Sequence, residues 1–111
     1  MHEMKLQDRY FNYILNGTKK IELRLNDEKR SLIKLNDIIN FKNEVTNESF
    51  EVKVVGLLRY NSFNDLFDDF DIEVLADKEM TKKELLDVLE QFYTKEKQEK
   101  YGVLGIKIQK F

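Results

Sequence analysis

Apolar and polar positions alternate at period two along two stretches, the signature of strands with one face in a core. Ile21, Leu23 and Leu25 interleave with Lys20, Glu22 and Arg24, and Phe50, Val52 and Val54 interleave with Glu51 and Lys53. Met4–Leu6 reads as a short first strand and Asp37–Phe41 as another. The loop Asn43-Glu44-Val45-Thr46-Asn47 returns the latter to Phe50–Leu58, which predicts a hairpin. A last strand runs over Gly102–Ile108, and its two glycines favour a sharp bend or a close backbone approach.

Between the strands the period lengthens to that of helices. Asp8 stands where a cap is expected, Phe11, Ile14 and Leu15 form an apolar stripe, and Asn16-Gly17 supplies the stop. Tyr10 and Phe11 read as core. Ser62-Phe63-Asn64-Asp65 opens a second helix with Phe63, Leu66, Phe67 and Phe70 inward, and Thr81-Lys82-Lys83-Glu84 is a capping box. Leu85, Leu86, Val88, Leu89 and Phe92 carry that third helix to Tyr93, Thr94 caps a further turn over Lys95–Lys100, and Asp71–Met80 reads as an ordered loop. Helices set between the strands of a closing sheet predict an α+β β-barrel.

One stretch concentrates polar chemistry. Gly17-Thr18-Lys19-Lys20-Ile21-Glu22-Leu23-Arg24 places a lysine in a glycine turn and a carboxylate and guanidinium two apart on the following strand. Such residues share a face and stand roughly 6.5–7 Å apart, so Glu22 and Arg24 can grip one ligand or each other. As a turn residue, Lys19 is expected to be exposed, its ammonium free to swing over the same mouth and its replacement nearly neutral for stability.

Composition narrows the chemistry. The 111 residues make one domain, 1–111, with 41% hydrophobic and 36% charged residues, a soluble globular balance. No apolar run approaches the ~18 residues of a membrane span and no leader pattern opens the chain, so a cytoplasmic location is expected. There is no cysteine, which excludes disulfides and thiol nucleophiles, and the single histidine, His2 near the N-terminus, is a poor candidate for a His-based triad and argues against a zinc site; no metal or cofactor is expected. The net charge of −2 disfavours coating of nucleic acid by bulk attraction. Yet residues 17–34 hold six basic side chains against three acidic ones, and residues 63–79 seven acidic against one basic.

Gly17-x-Lys19-x-x-Glu22-x-Arg24 resembles the G-x-K-x-x-E-x-R signature of the ASCH domain family, a branch of the PUA-like folds. The likeness extends to Leu35-Asn36-Asp37-Ile38-Ile39, Ser62-Phe63 and Tyr101-Gly102-Val103-Leu104-Gly105-Ile106. It implies a small PUA-like barrel with inserted helices and a cleft beside the motif for a nucleoside, nucleotide or short single-stranded RNA. Lys19, Glu22 and Arg24 would line that cleft, Lys29 and Arg30 would help hold a phosphate, and Tyr60 or Tyr101 would stack on a base. Some members of the family are amidohydrolases acting on N4-acetylcytidine through the equivalent lysine, and others are described as ribonucleases. On that alternative Lys19, Glu22 and an acid from the segment before Thr81, Glu79 or Glu73, would be catalytic, although the amidohydrolase branch carries threonine where this chain has Glu22. A third reading is a non-catalytic module docking a protein partner through the acidic 63–79 segment.

Overall fold

The computed structural model describes Met1–Phe111. Five strands, β1 (His2–Leu6), β2 (Ile21–Leu25), β3 (Ile38–Asn43), β4 (Ser49–Tyr60) and β5 (Val103–Lys110), form one mixed sheet in the order β1-β3-β4-β5-β2. β1 runs parallel to β3 and every other pair is antiparallel, including the expected β3–β4 hairpin. β4 is long enough to serve both neighbours: Lys42 to Ile38 of β3 pair with Ser49–Lys53, while β5 pairs from Val52 to Tyr60 with a register break between Val54 and Gly56. That irregularity bends the strand. The sheet curls into a half-barrel whose two edges, β1 and β2, are joined by the Arg24 guanidinium, which donates to the Lys5 carbonyl at 3.0 Å.

Helix α1 (Asp8–Leu15) fills the concave side. Its Phe11 and Ile14 pack with Met4, Leu6, Ile39, Phe41, Val52, Val54, Leu104, Ile106 and Ile108 in a first core. Asp8 begins this helix without capping it. Gln7 holds the cap position, and the Asp8 carboxylate accepts instead from Asn12 and Asn43. A second core lies between β2, β5 and four further helices: α2 (Phe63–Asp68), α3 (Ile72–Leu75), α4 (Lys82–Phe92) and α5 (Lys95–Tyr101). Gly105 makes this layer possible, because a Cβ there would stand 3.0 Å from a Leu66 methyl and 3.2 Å from Ile21.

The capping signals of the later helices hold. Ser62 accepts from the Asp65 amide, Thr81 and Glu84 form the reciprocal box, and Thr94 accepts from the Lys97 amide. Asp71–Met80 departs from the expected loop, since it contains the single turn α3, whose Leu75 is fully buried. No helix is long and apolar enough to cross a membrane.

Candidate functional site: a buried charge triad under an open cleft

Gly17 ends α1 at φ +88°, a conformation open to glycine. The turn it makes is fixed by its neighbours, since the Thr18 and Lys19 amides both donate to the Tyr13 carbonyl at 3.0 Å. The chain then enters β2, where the Lys20 amide donates to the Val74 carbonyl of α3 at 2.8 Å. α3 is therefore docked directly on the motif, and this docking decides where Lys19 goes.

Lys19 does not swing over a mouth. It is 3% exposed, its Nζ donating to the Ile21 carbonyl at 2.6 Å and to the Leu75 carbonyl, with Glu22 Oε1 at 3.6 Å. The expectation of an exposed turn lysine fails because α3, unmarked by any strong sequence pattern, covers it. Burial lowers its pKa to about 8, with Glu22 opposing that shift and Arg24 adding to it, so the ammonium form still prevails at neutral pH.

Glu22 is 5% exposed for a different reason. In the β2–β5 ladder Glu22 pairs with Ile106 and Arg24 with Leu104. Directly paired residues of antiparallel strands share a face, so the polar face of β2 points into the half-barrel with two core side chains. The apolar face, with Ile21, Leu23 and Leu25, packs into the second core. The alternation was legible, but both faces of the strand are covered. The carboxylate is held by three groups: Oε1 accepts from the Leu23 amide at 3.1 Å and faces Lys19, and Oε2 accepts from Arg24 Nη2 at 2.9 Å. Arg24 also reaches the Tyr93 hydroxyl at 3.4 Å and the Lys5 carbonyl, while its Nε is buried without a partner.

Above the triad opens a cleft of about 180 Å³ between the two sheet edges. Its floor is Lys19, Glu22 and Arg24; its sides are Tyr10 from α1 and Val88, Leu89 and Phe92 from α4. Leu85 of α4 is buried in the second core with Leu86 and Leu89 packed against it, while Val88 and the 54% exposed Phe92 lean over the cavity. Tyr93 is held at the rim because Gln98, itself buried, donates to the Tyr93 carbonyl at 2.9 Å and accepts from the Phe63 amide at 3.0 Å. Phe11 is core as expected, whereas Tyr10 lines the cleft with Lys19 Nζ 5.9 Å from its ring. Helical spacing placed Tyr10 on α1 and Phe92 at the end of α4, with Tyr93 as its cap; it does not show that all three border an open cleft.

The other sequence-derived candidates separate. Lys29 and Arg30 lie beside the cleft, in a depression that shares Lys5 and Arg24 with it. Tyr60 is elsewhere: its hydroxyl bonds Asp69 at 2.5 Å, and with Tyr101 it borders a polar hollow containing Arg59 and Lys100. Glu79 does not line the cleft either. It accepts from the Tyr13 hydroxyl and from Arg9 at 3.4 Å, tying the segment after α3 to the outside of α1. Glu73 is exposed on α3 and likewise does not line the cleft.

No curated protein matches the chain. The crystal structure of hypothetical protein PH0355 superposes with a TM-score of 0.86 at 40% identity, over 98% of this chain and 97% of that one. The solution structure of protein PF0455 from Pyrococcus furiosus gives 0.78 at 35% identity, over 99% and 96%. A crystal structure of a point mutant of ZmASCH from Zymomonas mobilis shares the fold, with a TM-score of 0.68 at 14% identity over 96% of this chain and 66% of that one. The ASCH domain profile matches residues 4–111, and with the half-barrel of five strands and inserted helices this establishes that the chain belongs to the ASCH domain family.

Proposed function

We propose that the cleft recognises a nucleobase, carried by a nucleoside, a nucleotide or a short single-stranded RNA. The observation that carries this reading is the Glu22 carboxylate, fixed between two cations at the floor of a slot with aromatic and aliphatic sides. A base asks for flat apolar walls and for polar groups that read its edge. A carboxylate has about four acceptor positions, and Leu23, Lys19 and Arg24 occupy three here. The remaining one suits an exocyclic amine. The Arg24 guanidinium, partly exposed where it lines the cleft, can meet a ring nitrogen or carbonyl.

Lys19 acts in this reading as a positioning residue. Its donors are directed at two carbonyls and Glu22, which leaves no lone pair for general-base or nucleophilic work while the ammonium persists. The hydrolase alternative also loses its second carboxylate, since Glu79 faces Arg9 and Tyr13. Binding without turnover is thus the better-supported reading.

Calorimetry with cytidine, adenosine and uridine, and chromatography after incubation with N4-acetylcytidine and with a short single-stranded RNA, test it. The amine-bearing bases should bind at least about tenfold more tightly than uridine, because a site built for a donor is left with an unpaired buried acceptor by an analogue lacking one. Glu22→Gln should erase that preference, and the ligand should return intact. Equal affinity for all three, or a preference untouched by Glu22→Gln, contradicts base recognition; deacylated base or cut RNA contradicts binding without turnover.

A further inference from the structure

Lys19 lines two cavities. Besides the cleft, it borders a pocket of about 470 Å³ on which α1, the Gly17 turn, β4 and the end of β5 converge. Ile14, Val55 and Ile108 supply its apolar lining. Its charged residues, Lys19, Lys20 and Lys110, are all cationic, in a protein whose net charge is −2. Neither Lys20 nor Lys110 pairs with a carboxylate.

Local structure accounts for Lys110, whose ammonium donates to the Leu15 carbonyl at the C-terminal end of α1, where a cation is favoured. It does not account for Lys20. That ammonium turns back over the glycine turn, 3.9 Å from where a Cβ on Gly17 would stand. Lysines commonly guard a strand edge against pairing between molecules, but α3 already covers this edge through the bond from the Lys20 amide to the Val74 carbonyl. Val55 is equally unexplained by packing. Val54 pairs with Ile108 and Gly56 with Lys107, so Val55 is the extra residue of a bulge. It stays 46% exposed, in one lining with the buried Ile14 and Ile108.

The volume falls within the ~300–1,000 Å³ of small-molecule pockets. Three apolar side chains are too few for the core of a protein interface, which takes about 800 Å² from each partner. No aromatic ring lines the pocket, so it offers a base no surface to stack on. Ammonium groups beside an apolar lining match a molecule that is anionic at one end and aliphatic along its length. We propose that this pocket binds a small aliphatic carboxylate, its chain against Ile14, Val55 and Ile108 and its carboxylate at Lys20 and Lys110, in a site separate from the cleft that shares Lys19 with it. Such a ligand does not depend on what the cleft itself binds.

The test titrates hexanoate, 1-hexanol and acetate into the isotope-labelled protein at fixed pH and ionic strength, read by amide and methyl chemical shifts. Hexanoate should give saturable shifts at Gly17, Lys20, Val55 and Ile108 that continue through Lys19 to Glu22. It should bind at least about tenfold more tightly than 1-hexanol, which lacks the charge, and than acetate, which lacks the chain. Lys20→Gln and Val55→Ser, both at exposed positions, should each weaken hexanoate by about five- to tenfold and leave the melting temperature within about three degrees of wild type. Acetate binding as tightly as hexanoate reduces the pocket to a site for adventitious anions and overturns the proposal. Hexanol binding as tightly removes the lysines from it and does the same. Hexanoate shifts centred on Tyr10 and Phe92, with Gly17, Val55 and Ile108 unmoved, overturn it by placing the ligand in the cleft, and so does hexanoate affinity unchanged in both variants.

Discussion

Arg24 donates to the Lys5 carbonyl at 3.0 Å, and this bond ties together the two sheet edges that no backbone ladder joins. The same guanidinium holds Glu22 at 2.9 Å, so one side chain both closes the half-barrel and sets the floor of the cleft. Arg24→Lys should separate its roles from simple charge. An ammonium on a shorter reach cannot serve Glu22, Lys5 and Tyr93 together. Stability in urea should fall by about 1–2 kcal/mol with an unchanged m value, and RNA affinity should fall at least tenfold, more for the oligonucleotide than for a nucleoside. Equal losses for both ligands would assign Arg24 a purely structural role.

Lys19→Met should be strongly destabilising, against the expectation for an exposed turn residue. It leaves two carbonyls without their donor and strips Glu22 of one of its cations, a loss of about 2–4 kcal/mol. In thermal melts this amounts to roughly 10 °C or more for a domain of this size. A melting temperature within two or three degrees of wild type would contradict the buried geometry.

The pH dependence carries a sign. Burial holds the folded Lys19 pKa at about 8, below the unfolded value of 10.5. Between those values the unfolded chain binds more protons at this group than the folded one, so its contribution to stability rises with pH from about 8 upward and is flat below. Tyr10 and Tyr13, whose pKa values burial raises, act oppositely above about pH 10. Wild-type stability minus that of Lys19→Met should therefore climb between pH 8 and 10, with a limiting slope of about 1.4 kcal/mol per pH unit. A difference that falls over this window would refute the lowered pKa.

Phe92 offers a variant in which function and stability part. It is 54% exposed and forms one side of the cleft. Phe92→Ala should shift the melting temperature by only two or three degrees, and yet weaken RNA by about 1–3 kcal/mol if a base stacks there. Unchanged affinity would remove α4 from the binding surface.

Tyr60→Phe and Glu79→Gln should leave ligand affinity within about twofold, since their partners are Asp69 and the Arg9–Tyr13 pair and neither lines the cleft. Both side chains sit at the surface, where such contacts contribute about 1 kcal/mol or less. A tenfold loss of affinity in either would return that residue to the site.

Much of this architecture was legible because it is written locally. The Thr81–Glu84 box, the Ser62 and Thr94 caps, the Asn16-Gly17 stop and the period-two strands each announce themselves within a few residues. The motif likewise fixed Glu22 and Arg24 on one face of one strand. What stayed hidden depends on elements far apart in sequence. The burial of Lys19 requires α3, a single turn whose Leu75 carbonyl lies 56 positions away, and the inward aim of Glu22 requires its register against Ile106. Tyr60 and Glu79 were credible by residue type, and only the tertiary path shows that they end on other surfaces.

In the proposed binding mode a ligand sits on the Lys19–Glu22–Arg24 floor between α1 and α4. The most direct measurement is an amide and aromatic chemical-shift map of the protein titrated with a mixed-sequence single-stranded RNA hexamer. The largest shifts should fall at Glu22–Arg24, Tyr10, Phe92 and Tyr93, with Arg59, Tyr60 and Tyr101 silent. Shifts centred on Arg59, Tyr60 and Tyr101 with the cleft unchanged would contradict it.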